Sequence, residues 1–166
     1  MFKKFYCIAF ILTILISFIS SSKETVTDNS KLLYPTTTKY ITSYFGYRDL
    51  FGTTNFHNGI DFGAAQGSKV FATLSGTITS ASFTKGYGNC ITTLHSNGTK
   101  SLYGHLSDNF IVKTGQHVNK GDVISFVGPK YLSNGILNGW TTGPHLHFSI
   151  FSKDGTALDP LTFEFE

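Results

Sequence analysis

Charged side chains are scarce in this chain of 166 residues, at 14 % of the total. The 13 basic and 10 acidic residues give a formal net charge of +3, and cleavage of the segment that contains Lys3 and Lys4 would leave 11 minus 10, or +1. A chain so close to neutrality lacks the clustered cationic face that phosphate groups require, so we expect no nucleic-acid partner. The length fits one domain of ordinary size.

Cysteine is rare too, with only Cys7 and Cys90. Cys7 lies in an apolar stretch, residues 5–19, that follows two lysines and precedes three serines, an order typical of a signal peptide over residues 1–22. The alternative is an uncleaved membrane anchor, for which about 15 apolar residues is short. Cleavage would leave Cys90 alone and exclude an internal disulfide. We therefore predict export to the periplasm, cell wall or extracellular space, with membrane contact only through an uncleaved signal segment.

No window of the remaining chain shows the sustained 3.6-residue apolar period of a long amphipathic helix. Residues 23–39 are polar and predict a tether, whereas residues 40–166 alternate short runs of β-branched and aromatic residues with glycine turns. Ser96-Asn97-Gly98, for example, predicts a hairpin turn between strands at 90–95 and 99–105. The sequence thus predicts one all-β domain of antiparallel sheets, which we expect to be monomeric.

Two short motifs carry residues that can bind a metal ion. His57 and Asp61 are four positions apart, and His145 and His147 are two apart, so each pair points to one face of an extended segment. Zinc binds nitrogen and carboxylate ligands, and a catalytic zinc site keeps one position open for water. The spacing predicts a zinc site made of His57, Asp61 and one histidine of the second pair. It leaves open which of the two that is.

The other histidines fall into two groups. His105, together with the histidine of the second pair that does not bind metal, is a candidate for accepting a proton or polarising a scissile carbonyl. His95 and His117 lie beside turn residues and are predicted to be structural or solvated. Cys90, at the start of a predicted strand, is expected to be a small buried hydrophobic residue.

The sequence resembles the lysostaphin-like, or LytM-like, zinc metallopeptidases, which cut peptide bonds in bacterial peptidoglycan. The resemblance extends from about Ile41 to Pro160. Five segments carry it in the order of the family: ITSYFGYR at 41–48, HNGID at 57–61, YGHL at 103–106, GQHVNKGD at 115–122 and GPHLHF at 143–148. It implies an antiparallel two-sheet sandwich or open barrel of the lysostaphin-like peptidase type.

The resemblance also implies the roles of five residues: His57, Asp61 and His147 would bind one zinc ion, and His105 and His145 would be the catalytic histidines. The expected function is a zinc metalloendopeptidase that hydrolyses stem peptides or cross-bridges, with peptidoglycan peptides as the partner. The alternative is a non-catalytic envelope module that activates a cell-wall amidase. Modules of that kind typically lack the metal ligands, which are all present here.

The segment between Gly128 and Gly143 departs from the family pattern. Residues 129–140 replace a usually tighter turn, and we expect this loop to overhang the groove and to influence substrate preference. Four aromatic residues are candidates for lining the groove, although packing alone explains such residues as often: Tyr44, Tyr47, Tyr87 and Trp140. Arg48 and Lys130 are candidates for contacting a substrate carboxylate.

Overall fold

The computed structural model describes residues 31–50 and 52–166, so the predicted signal peptide lies outside the described residues. The described part consists of β-strands and one short 3-10 helix at Pro160–Thr162. The strands are β1 Ile41–Ser43, β2 Gly46–Leu50, β3 Thr53–His57, β4 Ile60–Phe62, β5 Lys69–Phe71, β6 Gly76–Thr84, β7 Gly88–Leu94, β8 Lys100–Gly104, β9 His117–Val118, β10 Val123–Phe126, β11 Leu146–Phe151 and β12 Ala157–Leu158. No helix in this part is long and apolar enough to cross a membrane.

The strands form one large antiparallel sheet and two small ribbons. The large sheet has eight strands, in the order β1-β4-β11-β8-β7-β6-β9, with β12 paired to β11. Strands β5 and β10 form one ribbon, and β2 and β3 form the other. The prediction of an all-β domain built from antiparallel sheets is therefore confirmed.

Strand β11 runs through the middle of the large sheet and is buried on both faces. Its alternation points Leu146, Phe148 and Ile150 into the apolar core. His147 and Ser149 point to the opposite face and are also buried. Two polar side chains in the most central strand need partners, because an unpaired buried polar group is costly. This opposite face is where the candidate site lies.

The start of the described chain packs against the end of the domain. The Leu32 N–H donates to the Glu164 carbonyl at 2.7 Å, and the Glu166 N–H donates to the Leu32 carbonyl at 2.8 Å. Leu32 itself is buried in the core. Residues 31–36 thus pack as part of the domain instead of belonging to the tether predicted for 23–39. The reason is that the apolar side chains of Leu32 and Tyr34 are removed from water against this core.

His95 is buried, and both nitrogens of its ring have hydrogen-bond partners. Its Nδ1 lies 3.0 Å from the Ser75 carbonyl, and its Nε2 lies 2.8 Å from the Ser101 hydroxyl. Burial lowers the pKa of His95 below its usual value, so the ring is neutral in the folded protein. His117, in contrast, is exposed on the short strand β9.

Because the pKa of His95 is lower in the folded than in the unfolded chain, the unfolded chain binds more protons below about pH 6.5. The free energy of unfolding should therefore fall as the pH drops through that range. In a His95→Gln variant, urea unfolding should show a smaller fall between about pH 7.5 and 5.5. The exposed-histidine control His117→Gln should keep the pH dependence of the wild type. Equal slopes in all three proteins would contradict this prediction.

Candidate metal centre and catalytic site

The strand register of the large sheet brings distant motifs together. His147 on β11 lies directly opposite Asp61 on β4, and on its other side opposite Gly104 on β8. Directly opposed residues in a sheet have Cβ atoms about 5 Å apart and point to the same face. The register therefore places the Asp61 carboxylate beside the His147 ring, with His105 one residue beyond Gly104.

The third member of the cluster comes from outside the large sheet. His57 ends β3, and its Nε2 lies 3.1 Å from Asp61 Oδ1 and 3.0 Å from His147 Nδ1. The remaining distance, from His147 Nδ1 to Asp61 Oδ1, is 3.0 Å. All three residues are buried, and their ligand atoms have the spacing that one metal ion requires. The structure thus brings together the three residues that the resemblance implied as zinc ligands.

The chemistry of these three atoms fits a cation. His57 Nδ1 lies 2.8 Å from the Tyr44 carbonyl, which only accepts, so Nδ1 carries the hydrogen and Nε2 of the neutral ring presents a lone pair. Asp61 Oδ1 is an acceptor as well, and His147 Nδ1 lies 3.0 Å from this oxygen. Acceptor atoms within about 3 Å of one another repel unless a positive charge lies between them. Two imidazole nitrogens and one carboxylate oxygen are a ligand set typical of catalytic zinc.

Further contacts orient the ligands. Arg48 Nη1 binds Asp61 Oδ2 at 3.1 Å, which leaves Oδ1 for the cluster. His147 Nε2 lies 2.7 Å from the Ser149 hydroxyl. Such outer contacts hold metal ligands in place. Sequence reasoning had considered Arg48 as a contact for a substrate carboxylate, but the structure pairs it with a carboxylate of the protein itself.

The protonation states suit metal binding. Burial alone raises the pKa of Asp61, but the adjacent imidazoles of His147 and His57 outweigh it, so the pKa lies well below its usual value. Burial lowers the pKa of His147, although Asp61 opposes this effect. The site therefore offers an ionised carboxylate, together with a His147 ring that favours its neutral form.

His105 adopts an unusual backbone conformation directly after β8. Its φ is +57°, and it is the only residue other than glycine with positive φ in the described part of the chain. Its N–H donates to the Tyr87 carbonyl at 2.7 Å, and its Nδ1 lies 2.7 Å from the Asn138 carbonyl. A left-handed histidine stores strain that persists only when its surroundings hold it, and such residues cluster at functional sites. No sequence signal pointed to this conformation.

The second candidate catalytic histidine, His145, stands beside the first. The ring centroids of His105 and His145 are 4.7 Å apart. His145 Nδ1 lies 2.9 Å from the Gly143 carbonyl, and its Nε2 lies 3.7 Å from Asp61 Oδ1. Burial, reinforced by the neighbouring His145 and His147, lowers the pKa of His105 to about 3. The structure thus brings both predicted catalytic histidines to the edge of the candidate metal centre.

These side chains line a groove with a volume of about 1110 Å³. One wall is the β2–β3 hairpin, where Phe56 lines the groove although sequence reasoning did not single it out. The other wall includes Leu137 and Trp140 from the loop at 129–140, in agreement with the expected overhang. Tyr87 also lines the groove, and its ring lies 5.2 Å from that of His147. The candidate metal centre thus lies in a groove that is partly open to solvent.

Gly59 lies between His57 and Asp61, where no side chain fits. A Cβ at this position would lie under 3.0 Å from the Phe148 carbonyl, the Ser149 hydroxyl and the His147 ring. Gly59→Ala should therefore displace β11 or His147, lowering the unfolding free energy by about 1–3 kcal/mol and weakening the binding of zinc expected at the candidate site. Thermal melting and metal analysis would check this. Gly143→Ala is a matched control, since a Cβ there meets nothing within 4 Å; equal zinc affinity in both variants would contradict the prediction.

An all-β domain with a buried His-Asp-His cluster at the floor of an open groove, flanked by two further histidines, defines a candidate metallopeptidase. Residues 55–160 match the sequence profile of peptidase family M23. The chain belongs to peptidase family M23. The resemblance to lysostaphin-like peptidases is thereby confirmed.

Individual relatives agree with this assignment. The chain is 41 % identical over 124 residues to the DD-carboxypeptidase/endopeptidase Mpg of Neisseria meningitidis, a match that covers 74 % of this chain and 26 % of Mpg. It thus spans about a quarter of the length of that curated relative. A zinc-containing peptidase from Vibrio cholerae superposes with a TM-score of 0.66 at 28 % identity, over 83 % of this chain and 40 % of that one. The catalytic domain of lysostaphin from Staphylococcus simulans gives 0.59 at 33 % identity, over 72 % and 86 %.

Proposed function

We propose that this protein is an exported zinc-dependent endopeptidase that hydrolyses peptide bonds in bacterial peptidoglycan. One observation carries the proposal: His57, Asp61 and His147 converge at the floor of a groove beside the imidazoles of His105 and His145. The family supports a peptidase; Mpg is a DD-carboxypeptidase/endopeptidase, and lysostaphin is an antimicrobial peptidase. The presence of every metal-binding residue disfavours a non-catalytic activator of an amidase.

The three ligand residues would hold a single zinc ion. When bound, zinc supplies Lewis-acid chemistry: it polarises a carbonyl oxygen and lowers the pKa of water towards neutrality. The ionised Asp61 contributes negative charge at the site, and Arg48 holds its second oxygen. His57 and His147 are kept in place by the Tyr44 carbonyl and the Ser149 hydroxyl.

The two remaining histidines would handle the proton. In each ring Nδ1 faces a backbone carbonyl, that of Asn138 for His105 and that of Gly143 for His145, so Nε2 of the neutral ring is an acceptor. His145, whose Nε2 is the one near Asp61, takes the proton from the attacking water as the carbonyl carbon gains its new C–O bond. The protonated imidazole then donates to the amine as the C–N bond breaks. His105 stands beside it as a neutral imidazole and, because its pKa is lowered to about 3, is the weaker acceptor of the two.

The groove supports a peptide as the substrate. It is partly open to solvent and is lined by apolar and polar side chains alike, among them Phe56, Trp140, Asn58 and Thr141. An extended peptide can pass the metal centre in such a groove without burial of its whole length. We propose peptidoglycan peptides as the partner, with the protein acting as a monomer in the cell envelope or outside the cell.

Digestion of purified cell walls tests the proposal. Zinc-loaded protein should release fragments with one new amino terminus for each cleaved peptide bond, and a chelator should abolish the release. Parallel digestion of a directly cross-linked wall and a glycine-bridged wall, with mass spectrometry of the products, would identify the bond. Release of single terminal residues would indicate a carboxypeptidase instead. A protein with one zinc per chain that cleaves neither wall would overturn the proposal.

A further inference from the structure

We infer that Asn138 is a positioning residue for His105: its side chain fixes the backbone carbonyl that determines which nitrogen of the His105 ring faces the groove. The carbonyl of Asn138 lies 2.7 Å from His105 Nδ1. A carbonyl only accepts, so the hydrogen of the neutral ring is on Nδ1 and the lone pair is on Nε2. The inference rests on the proposed function, because turnover is what this tautomer would serve.

The side chain of Asn138 is completely buried and bonds to three separate backbone segments. Its Oδ1 accepts from the Asn89 N–H at 2.9 Å, near the start of β7. Its Nδ2 donates to the Leu106 carbonyl at 3.0 Å and to the Pro129 carbonyl at 3.1 Å. Leu106 follows His105 directly, so a single amide ties the loop at 129–140 to the segment that carries the histidine.

The space around Asn138 is bounded by backbone. A Cβ added at Gly88 or at Gly128 would lie under 3.0 Å from atoms of Asn138. The next residue, Gly139, has a φ of +76°, and a Cβ added there would also lie under 3.0 Å from the Gly86 carbonyl oxygen. Because the neighbours are main-chain atoms, the Asn138 carbonyl has little room to shift while its amide bonds are intact.

Asn138 also supports the strained conformation of His105. The His105 carbonyl accepts from the Gly128 N–H at 2.8 Å, next to the Pro129 carbonyl that binds Asn138. Left-handed residues persist when the surrounding structure over-determines them. Asn138 Nδ2 donates to the carbonyls of Leu106 and Pro129, the residues that directly follow His105 and Gly128. These hydrogen bonds stabilise both of the segments that make the His105–Gly128 contact.

The first test is the tautomer of His105 in the zinc-loaded protein. Nitrogen NMR of the histidine rings, with His105 assigned through a His105→Ala variant, should show Nδ1 protonated and Nε2 unprotonated at neutral pH. Asn138→Ala should shift His105 towards a mixture of tautomers. Asn134→Ala, a change of the same residue type in the exposed part of the same loop, should not. A wild-type ring protonated at Nε2 would overturn the inference without reference to activity.

The second test is kinetic. Asn138→Ala should lower kcat about 10- to 100-fold with zinc content unchanged and little change in KM, whereas Asn134→Ala should turn over like the wild type. In a His105→Ala background, Asn138→Ala should cause no further loss, because it acts through the missing ring. Losses that multiply in the double variant would show a general structural role and overturn the inference.

Asn138→Asp serves as a second variant in both tests if Asn138→Ala does not fold. Asn138→Asp keeps the volume and the acceptor for the Asn89 N–H, but loses the donor to Leu106 and Pro129. It should show the same tautomer shift and the same fall in kcat. If His105→Ala turns over like the wild type, the proposed catalytic role of His105 fails, while the NMR result still decides whether Asn138 positions the ring.

Discussion

Replacing Asp61 with alanine is expected to abolish the proposed zinc binding and the proposed peptidoglycan hydrolysis together. Asp61 supplies the only anionic ligand of the cluster, and its Oδ1 lies within 3.1 Å of both ligand nitrogens, those of His57 and His147. Two neutral imidazoles alone bind zinc far more weakly, and no other carboxylate from residues 31–50 or 52–166 lies in the cluster. Zinc content should fall from one per chain to a small fraction, with a loss of activity of about 10³-fold or more.

Metal analysis of the purified protein, followed by a dye-release assay on cell walls, measures both effects. Asp49→Ala is the matched control: this carboxylate also lines the groove, but it accepts a hydrogen bond from Thr54 and is not part of the cluster. It should retain stoichiometric zinc. His57→Ala and His147→Ala should behave like Asp61→Ala. A fully active His147→Ala protein would rule out the proposed site.

His145→Ala and His105→Ala should have a different effect, in which zinc is retained and turnover is lost. Neither ring belongs to the three-residue cluster, yet both lie at its edge, and Nε2 is the acceptor nitrogen of each neutral ring. Loss of a positioned proton acceptor typically slows a reaction about 10²- to 10⁴-fold. We expect a fall of that size in kcat for each variant, with the zinc content of the wild type.

The same dye-release assay, run on protein of known zinc content, separates this effect from metal loss. His117→Ala is the histidine control, because its side chain is exposed on β9 and takes no part in the cluster. It should match the wild type in both measurements. Zinc loss in His145→Ala would show that His145 is a metal ligand. An unchanged kcat would show that it takes no part in the mechanism.

Local patterns in the sequence predicted some of the strands. The expected strands at 90–95 and 99–105 correspond to Gly88–Leu94 and Lys100–Gly104. The hairpin turn at Asn97-Gly98 is present, with a φ of +84° at Gly98. These features depend on alternation and on turn residues over a few positions, so the sequence carries them directly.

His57 and Asp61 lie close together, as the sequence predicts, but they do not lie on one extended segment. We expected both residues on one face of a single extended segment. The structure ends β3 at His57 and begins β4 at Ile60, and the two strands belong to different sheets. Gly59 makes this crossing possible because its missing side chain lets the chain pass close to β11.

By itself, the sequence determined the class of fold, some of the strands and the set of residues proposed to bind zinc or move a proton. Which of these side chains meet was decided only by the tertiary structure, since Asp61 and His147 are 86 residues apart and come together through strand register. The same holds for the strained backbone of His105 and the carbonyl that Asn138 presents to it. Both depend on contacts between segments that are distant along the chain, and residue patterns over a few positions carry no information about such contacts.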